Sequence, residues 1–105
     1  MSKVYDITSK ISTEKPVIKI GDKEYTVDNG KNTMLLVSQE LSNSDNQIKG
    51  MDKAVELLLG EDAFKEIEGM NLSIDATKTL FVALMASVNG EDYEKAEARF
   101  QKSKP

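Results

Sequence analysis

The side chains that most often carry chemistry are missing from this chain, which contains no histidine and no cysteine. General bases poised near neutral pH, thiolate nucleophiles and soft metal ligands go with them, leaving carboxylates, lysines, tyrosines and hydroxyls. Neighbouring acids occur at Glu61/Asp62, Glu66/Glu68 and Glu91/Asp92. A catalytic carboxylate pair needs contrasting surroundings that drive its two pKa values apart. These acids instead stand at helix starts or on polar helix faces, where they serve the helix dipole and solubility. The run Asp28-Asn29-Gly30-Lys31-Asn32 opens like a calcium loop. Its ligands do not alternate, however, and Gln39 occupies the position where a bidentate glutamate belongs, so a turn is expected. Gly21 stands alone, without a glycine-rich cradle for phosphate. The residues predict no catalytic site, no metal and no cofactor.

The frame around these residues is small and acidic. A chain of 105 residues makes one domain that buries roughly 60–70% of its unfolded surface. Hydrophobic residues at 39% and charged residues at 30% suit a folded domain rather than a disordered one. A formal charge of -4 argues against general nucleic-acid binding, which uses a basic face. The absence of cysteine fits a reducing compartment. The opening Met1-Ser2-Lys3-Val4-Tyr5-Asp6 shows no apolar segment of a signal peptide. Apolar runs fall short of the roughly 20 residues a membrane helix needs, so a soluble protein with no membrane contact is expected.

The predicted fold is α+β: an N-terminal β-hairpin followed by four to five short helices in a small, mostly helical bundle. Residues 1–15 form a polar arm, 16–101 the domain and 102–105 a charged tail. Val17-Ile18-Lys19-Ile20 and Glu24-Tyr25-Thr26-Val27 flank a Gly-Asp turn, with Ile18, Ile20, Tyr25 and Val27 on one face. The period then changes from two to about 3.6. A first helix is expected over roughly Asn32 to Leu41, with Met34, Val37 and Leu41 together. A second carries Ile48, Met51, Val55, Leu58 and Leu59 and stops at Gly60. A third buries Ala63, Phe64 and Ile67 and ends at Gly69; Ser73 caps the fourth, which Gly90 ends. The fifth turns Tyr93, Ala96 and Phe100 inward. Leu59-Gly60-Glu61-Asp62 and Asn89-Gly90-Glu91-Asp92 repeat at a spacing of 30, which two copies make a reused corner rather than a solenoid.

Thr79-Leu80-Phe81-Val82-Ala83-Leu84-Met85-Ala86-Ser87-Val88 is apolar nearly all the way round. Such a helix must be wrapped by its own chain or shared with a partner. If its own chain leaves it uncovered, self-association is expected. The internal methionines Met34, Met51, Met70 and Met85 either fill gaps in the core or supply an adaptable surface. The hairpin either rests on the helices or accepts another chain's strand, with Lys19, Lys23 and Glu24 guarding its edge.

The hairpin Val17-Ile18-Lys19-Ile20-Gly21-Asp22-Lys23-Glu24-Tyr25-Thr26-Val27, the short helices after it, and the run Leu72-Ser73-Ile74 through Asn89-Gly90-Glu91-Asp92 to Glu97-Ala98-Arg99-Phe100 resemble a family. They are similar to the tail assembly chaperones of long-tailed phages and prophages of Gram-positive bacteria over about residues 16–100. The arm before Pro16 departs from members whose hairpin starts almost at the initiator methionine. The resemblance implies a non-enzymatic protein in the bacterial host cytoplasm that coats the tape measure protein, recruits tail tube protein, and is absent from the mature virion. A longer frameshifted form is common in the family. Phe81, Leu84, Met85, Val88, Tyr93 and Phe100 are the expected partner-contact residues, against the alternative that all six are core. A permanent subunit of the tail or head-tail junction, or a small regulatory protein-binding domain, are the competing functions.

Overall fold

The hairpin forms first in chain order and its register follows from its turn. The structure, a computed structural model, describes residues 3–11 and 14–102, with side chains through residue 99. Strands β1 (Val17–Ile20) and β2 (Lys23–Thr26) pair antiparallel, with Ile18 opposite Tyr25 and Ile20 opposite Lys23. Gly21 has φ +61°, while the Asp22 after it does not enter the positive-φ region, the pattern of a type II′ turn that suits strand twist. Past the strand ends the ladder gains one more bond, from the Val27 amide to the Pro16 carbonyl at 2.8 Å. Tyr25 and Val27 are buried, Ile18 and Ile20 half-buried, as the alternation predicts.

Five helices follow: α1 (Lys31–Asn43), α2 (Gln47–Leu59), α3 (Glu61–Gly69), α4 (Ile74–Asn89) and α5 (Tyr93–Lys102). Helix α2 is the hub, packed by α1, α3 and α4, while α4 also packs against β1 and α5. The stripe Met51, Ala54, Val55 and Leu58 fills the centre of the core. Asn46 starts α2 by accepting the amides of Ile48 and Lys49 on its side-chain oxygen. Ser73 starts α4 by accepting the Ala76 amide at 3.0 Å. Each satisfies donors that the first helical turn leaves without a partner. No polar or charged side chain is buried among the described residues.

The two glycine corners are not the same device, contrary to the repeat in the sequence. Gly60 has φ 92° and ψ 162° and stands between α2 and α3 as the C-cap of one and the N-cap of the next. Gly90 is left-handed at φ 66° and ψ 31°, and the Glu91 amide reaches back to the Ala86 carbonyl at 3.0 Å. That is a Schellman ending, which satisfies the last carbonyls of α4 before α5 begins. The shared Gly-Glu-Asp letters therefore encode two different turns.

Helix α1 runs two residues beyond its expected end, to Asn43, and its buried side is narrower than expected. Val37 is buried and Met34 half-buried, but Leu41 is exposed by more than a third. The reason lies at Gly50 on α2. A Cβ there would stand 3.2 Å from the Ser44 Cβ and 3.7 Å from Leu41 Cδ2, so the two helices approach closely at that point. Leu41 lies along the edge of this contact instead of inside it.

Candidate interaction surface

Helix α4 is enclosed by its own chain. Leu80, Phe81 and Leu84 face the main core, where Met85 and Val88 pack against its margin. Val82 and Ala86 turn to a second, smaller cluster completed by Ala96 of α5, with Tyr93 against it. A helix apolar on every side is thus held between the body and α5, and needs no second molecule to cover it. Two of the six expected contact residues are buried within the chain. Leu84 at 0% and Phe81 at 8% exposure are core residues. Met85, Val88 and Tyr93 are half-buried. Phe100 lies in α5, its side chain outside the described residues. With α4 enclosed, the expectation of self-association on its account loses its ground.

The displayed apolar surface lies elsewhere. Val4, Tyr5, Ile7 and Ile11 of the arm are 86, 76, 53 and 57% exposed, and Leu35 and Leu36 of α1 are 56 and 49% exposed. Signal for the α1 pair was present in the sequence. Met34-Leu35-Leu36-Val37 is a run of four apolar residues on one helix. At 3.6 residues per turn such a run sweeps most of the circumference, so Met34 and Val37 can face the core only if Leu35 and Leu36 do not. Ile74, at the first turn of α4, and Met70, just past α3, are further exposed apolar residues. Of the other methionines, Met51 is core and Met34 and Met85 pack against it.

Three of the acidic residues singled out above, Glu66, Glu91 and Asp28, form structural ties. Glu66 of α3 accepts the Tyr25 hydroxyl at 2.9 Å and pairs with Lys23, clamping the hairpin to the helices. The hydrogen bond from Lys23, then that from Tyr25, holds the Glu66 carboxyl below its ordinary value. Glu91 accepts from Arg99, one contact at 2.9 Å, which joins the α4–α5 corner to α5 and lowers the Glu91 pKa. Asp28 accepts the Gly30 amide at 3.0 Å and the Thr33 hydroxyl at 2.7 Å. Its own amide donates to the Leu58 carbonyl at 2.8 Å, which ties the start of α1 to the end of α2. The calcium-like run is therefore the turn that launches α1, and the bonds from Thr33 and Gly30 depress the Asp28 pKa.

Concave regions are shallow and mixed in character. A groove of about 440 Å³ is lined by Glu40, Ser44, Lys49, Asp52, Lys53, Glu56 and Phe64. Partial burial raises the pKa of Asp52, one of its lining residues. A second, of about 340 Å³, lies between the base of the arm (Lys15, Pro16) and the end of α4 (Val88 to Gly90). Among the described residues no group of three or more acids could hold a metal ion. No described helix is long and apolar enough to cross a membrane.

No protein-family model, no curated protein and no solved structure matches this chain.

Proposed function

We propose that this protein is a non-enzymatic tail assembly chaperone of a long-tailed phage or prophage of Gram-positive bacteria. It acts in the host cytoplasm, binds tape measure protein and tail tube protein during tail morphogenesis, and leaves before the virion is complete. The observation that carries this reading is the division of apolar side chains. The core is closed around α2 and α4, yet Leu35 and Leu36 on α1 and four apolar residues of the arm remain displayed. A surface of this kind covers apolar helices of another protein reversibly, the helix-in-groove mode of recognition. The resemblance of the hairpin and the Leu72–Phe100 run to the chaperone family supplies the identity of those partners.

Co-purification with the tape measure and tail tube proteins of the same genome tests the proposal. The intact chain is expected to retain at least one of them. The double variant Leu35→Lys/Leu36→Lys is expected to retain at least about tenfold less, with its unfolding temperature unchanged. Retention of neither protein by the intact chain overturns the proposal. A permanent tail subunit is the second reading, favoured by the exposed apolar residues Val4, Tyr5, Ile7 and Ile11 of the arm, which a neighbouring subunit in an assembly would cover. A mass-spectrometric inventory of purified particles separates the two readings. A fixed stoichiometry in the particle supports the subunit, and absence supports the chaperone.

A further inference from the structure

The dipeptide Asn-Gly occurs twice in the chain, at Asn29-Gly30 and at Asn89-Gly90. In this pairing an asparagine side chain is most open to attack by its own main chain, because glycine brings no Cβ to crowd the ring that forms. The following amide nitrogen closes on the asparagine Cγ, and the side-chain nitrogen leaves as ammonia. Both asparagines and both glycines are exposed, so water reaches the two sites alike. What separates them is how firmly each peptide group is held.

Asn89 is the last residue of α4, and the Gly90 amide donates to the carbonyls of Ala86 and Ser87. Turning that amide toward the Asn89 side chain breaks both bonds and unwinds the Schellman ending. Asn29 belongs to no helix or strand, and among the described residues it makes no hydrogen bond of its own. The Gly30 amide is held by one exposed bond, to Asp28 Oδ1 at 3.0 Å. The ladder of α1 starts beyond that amide, where the Met34 amide donates to the Gly30 carbonyl at 3.0 Å. Local opening at Asn29 thus costs one exposed hydrogen bond, whereas at Asn89 it costs the last turn of a helix.

We infer that Asn29 is a site of spontaneous deamidation, which converts it to isoaspartate and aspartate, while the fold shields Asn89. The Gly30 nitrogen gives its proton to solvent and attacks Asn29 Cγ, forming the C–N bond of a succinimide. The bond from Cγ to the side-chain nitrogen breaks, and that nitrogen departs with a proton as ammonia. Water then adds to one of the two ring carbonyls, and nothing is oxidised or reduced. Opening at the Cγ carbonyl gives aspartate; opening at the main-chain carbonyl gives isoaspartate. Either product adds one negative charge to the formal -4. Isoaspartate also routes the main chain through Cγ, which lengthens it by one carbon between Asp28 and Gly30. The bonds of Asp28 to the Leu58 carbonyl, the Gly30 amide and the Thr33 hydroxyl are set for the shorter path. The tie between the start of α1 and the end of α2 therefore loosens.

The full chain is incubated at mildly alkaline pH, sampled over time, cleaved after lysine and mapped by mass spectrometry. Cleavage places the two sites in separate peptides, Glu24–Lys31 and Thr79–Lys95. The mass gain of NH2 replaced by OH is expected in the first at least about tenfold faster than in the second. In the urea-unfolded chain the two rates are expected to converge, because neither peptide group is then held. Electron-based fragmentation is expected to find isoaspartate at position 29. The variant Asn29→Gln, whose longer side chain closes such a ring far more slowly, is expected to show no gain there. After the same incubation it should keep the unfolding temperature that the parent chain loses. No gain at Asn29, an equally fast gain at Asn89, or a rate ratio that survives unfolding overturns the inference. An isoaspartate-rich sample with an unchanged unfolding temperature overturns the loosening of α1.

Discussion

Helices α4 and α1 carry similar apolar runs and meet opposite fates. Leu80 through Val88 is enclosed on two sides, by the body and by α5. Met34 through Val37 has α2 as its principal neighbour, and half of the run stays in solvent. The difference arises in chain order. A Schellman turn at Gly90 sends the chain back so that α5 covers the second face of α4. Among the described residues no comparable element returns over α1, which has α2 as its principal neighbour. Apolarity of a helix measures how much surface must be covered; its neighbours decide what covers it.

The widest separation between the two helices is expected in stability. Leu84→Ala should cost about 2–5 kcal/mol, because it opens a cavity at a fully buried site of α4. Leu35→Ala on α1 should change stability by less than about 0.5 kcal/mol. Denaturant unfolding of both variants checks this, and comparable losses would mean that α1 is covered in the monomer.

The corners sharpen the comparison further. An added Cβ meets no heavy atom within 4 Å at either Gly60 or Gly90, so substitution at each reports backbone strain alone. Gly60 occupies a region almost closed to side chains, and Gly60→Ala should cost about 3 kcal/mol. Gly90 is left-handed, a conformation that other residues tolerate better, and Gly90→Ala should cost about 1 kcal/mol. Equal values would indicate that the repeated letters do encode one turn.

The smallest expected effect concerns the clamp between hairpin and α3. Glu66 has a carboxyl pKa below its ordinary value of about 4.5 in the folded chain. The folded state therefore binds the proton less readily than the unfolded state. The contribution of the clamp is present above pH 4.5 and is lost as pH falls through the depressed folded value. Removing the partner by Lys23→Met should flatten that acid limb in an unfolding series across pH. An unchanged limb would assign acid sensitivity to Asp28 or Glu91, whose values are lowered as well.

Much of the fold was legible in the residues because the signals are local. The hairpin register follows from alternation around Gly21-Asp22, and Ser73 caps the helix it precedes. The α2 stripe needed only its own periodicity to be read as core. The interaction surface was less legible. Phe81 and Leu84 belong to the most apolar helix and drew attention to it, yet they are core. Leu35 and Leu36 belong to a helix whose pattern was read from Met34, Val37 and Leu41; the four-residue apolar run shows that part of it must turn outward, but that signal is weaker than the apolarity of α4.

The amino-acid sequence by itself determined the elements, their caps and turns, and how much apolar surface each helix carries, because these depend on residues a few positions apart. Tertiary structure alone decided which of that surface stays in water. Burial is a property of neighbours, and α5 returns over α4 while α1 has α2 as its principal neighbour, so the helix that looked most in need of a partner already has one within its own chain.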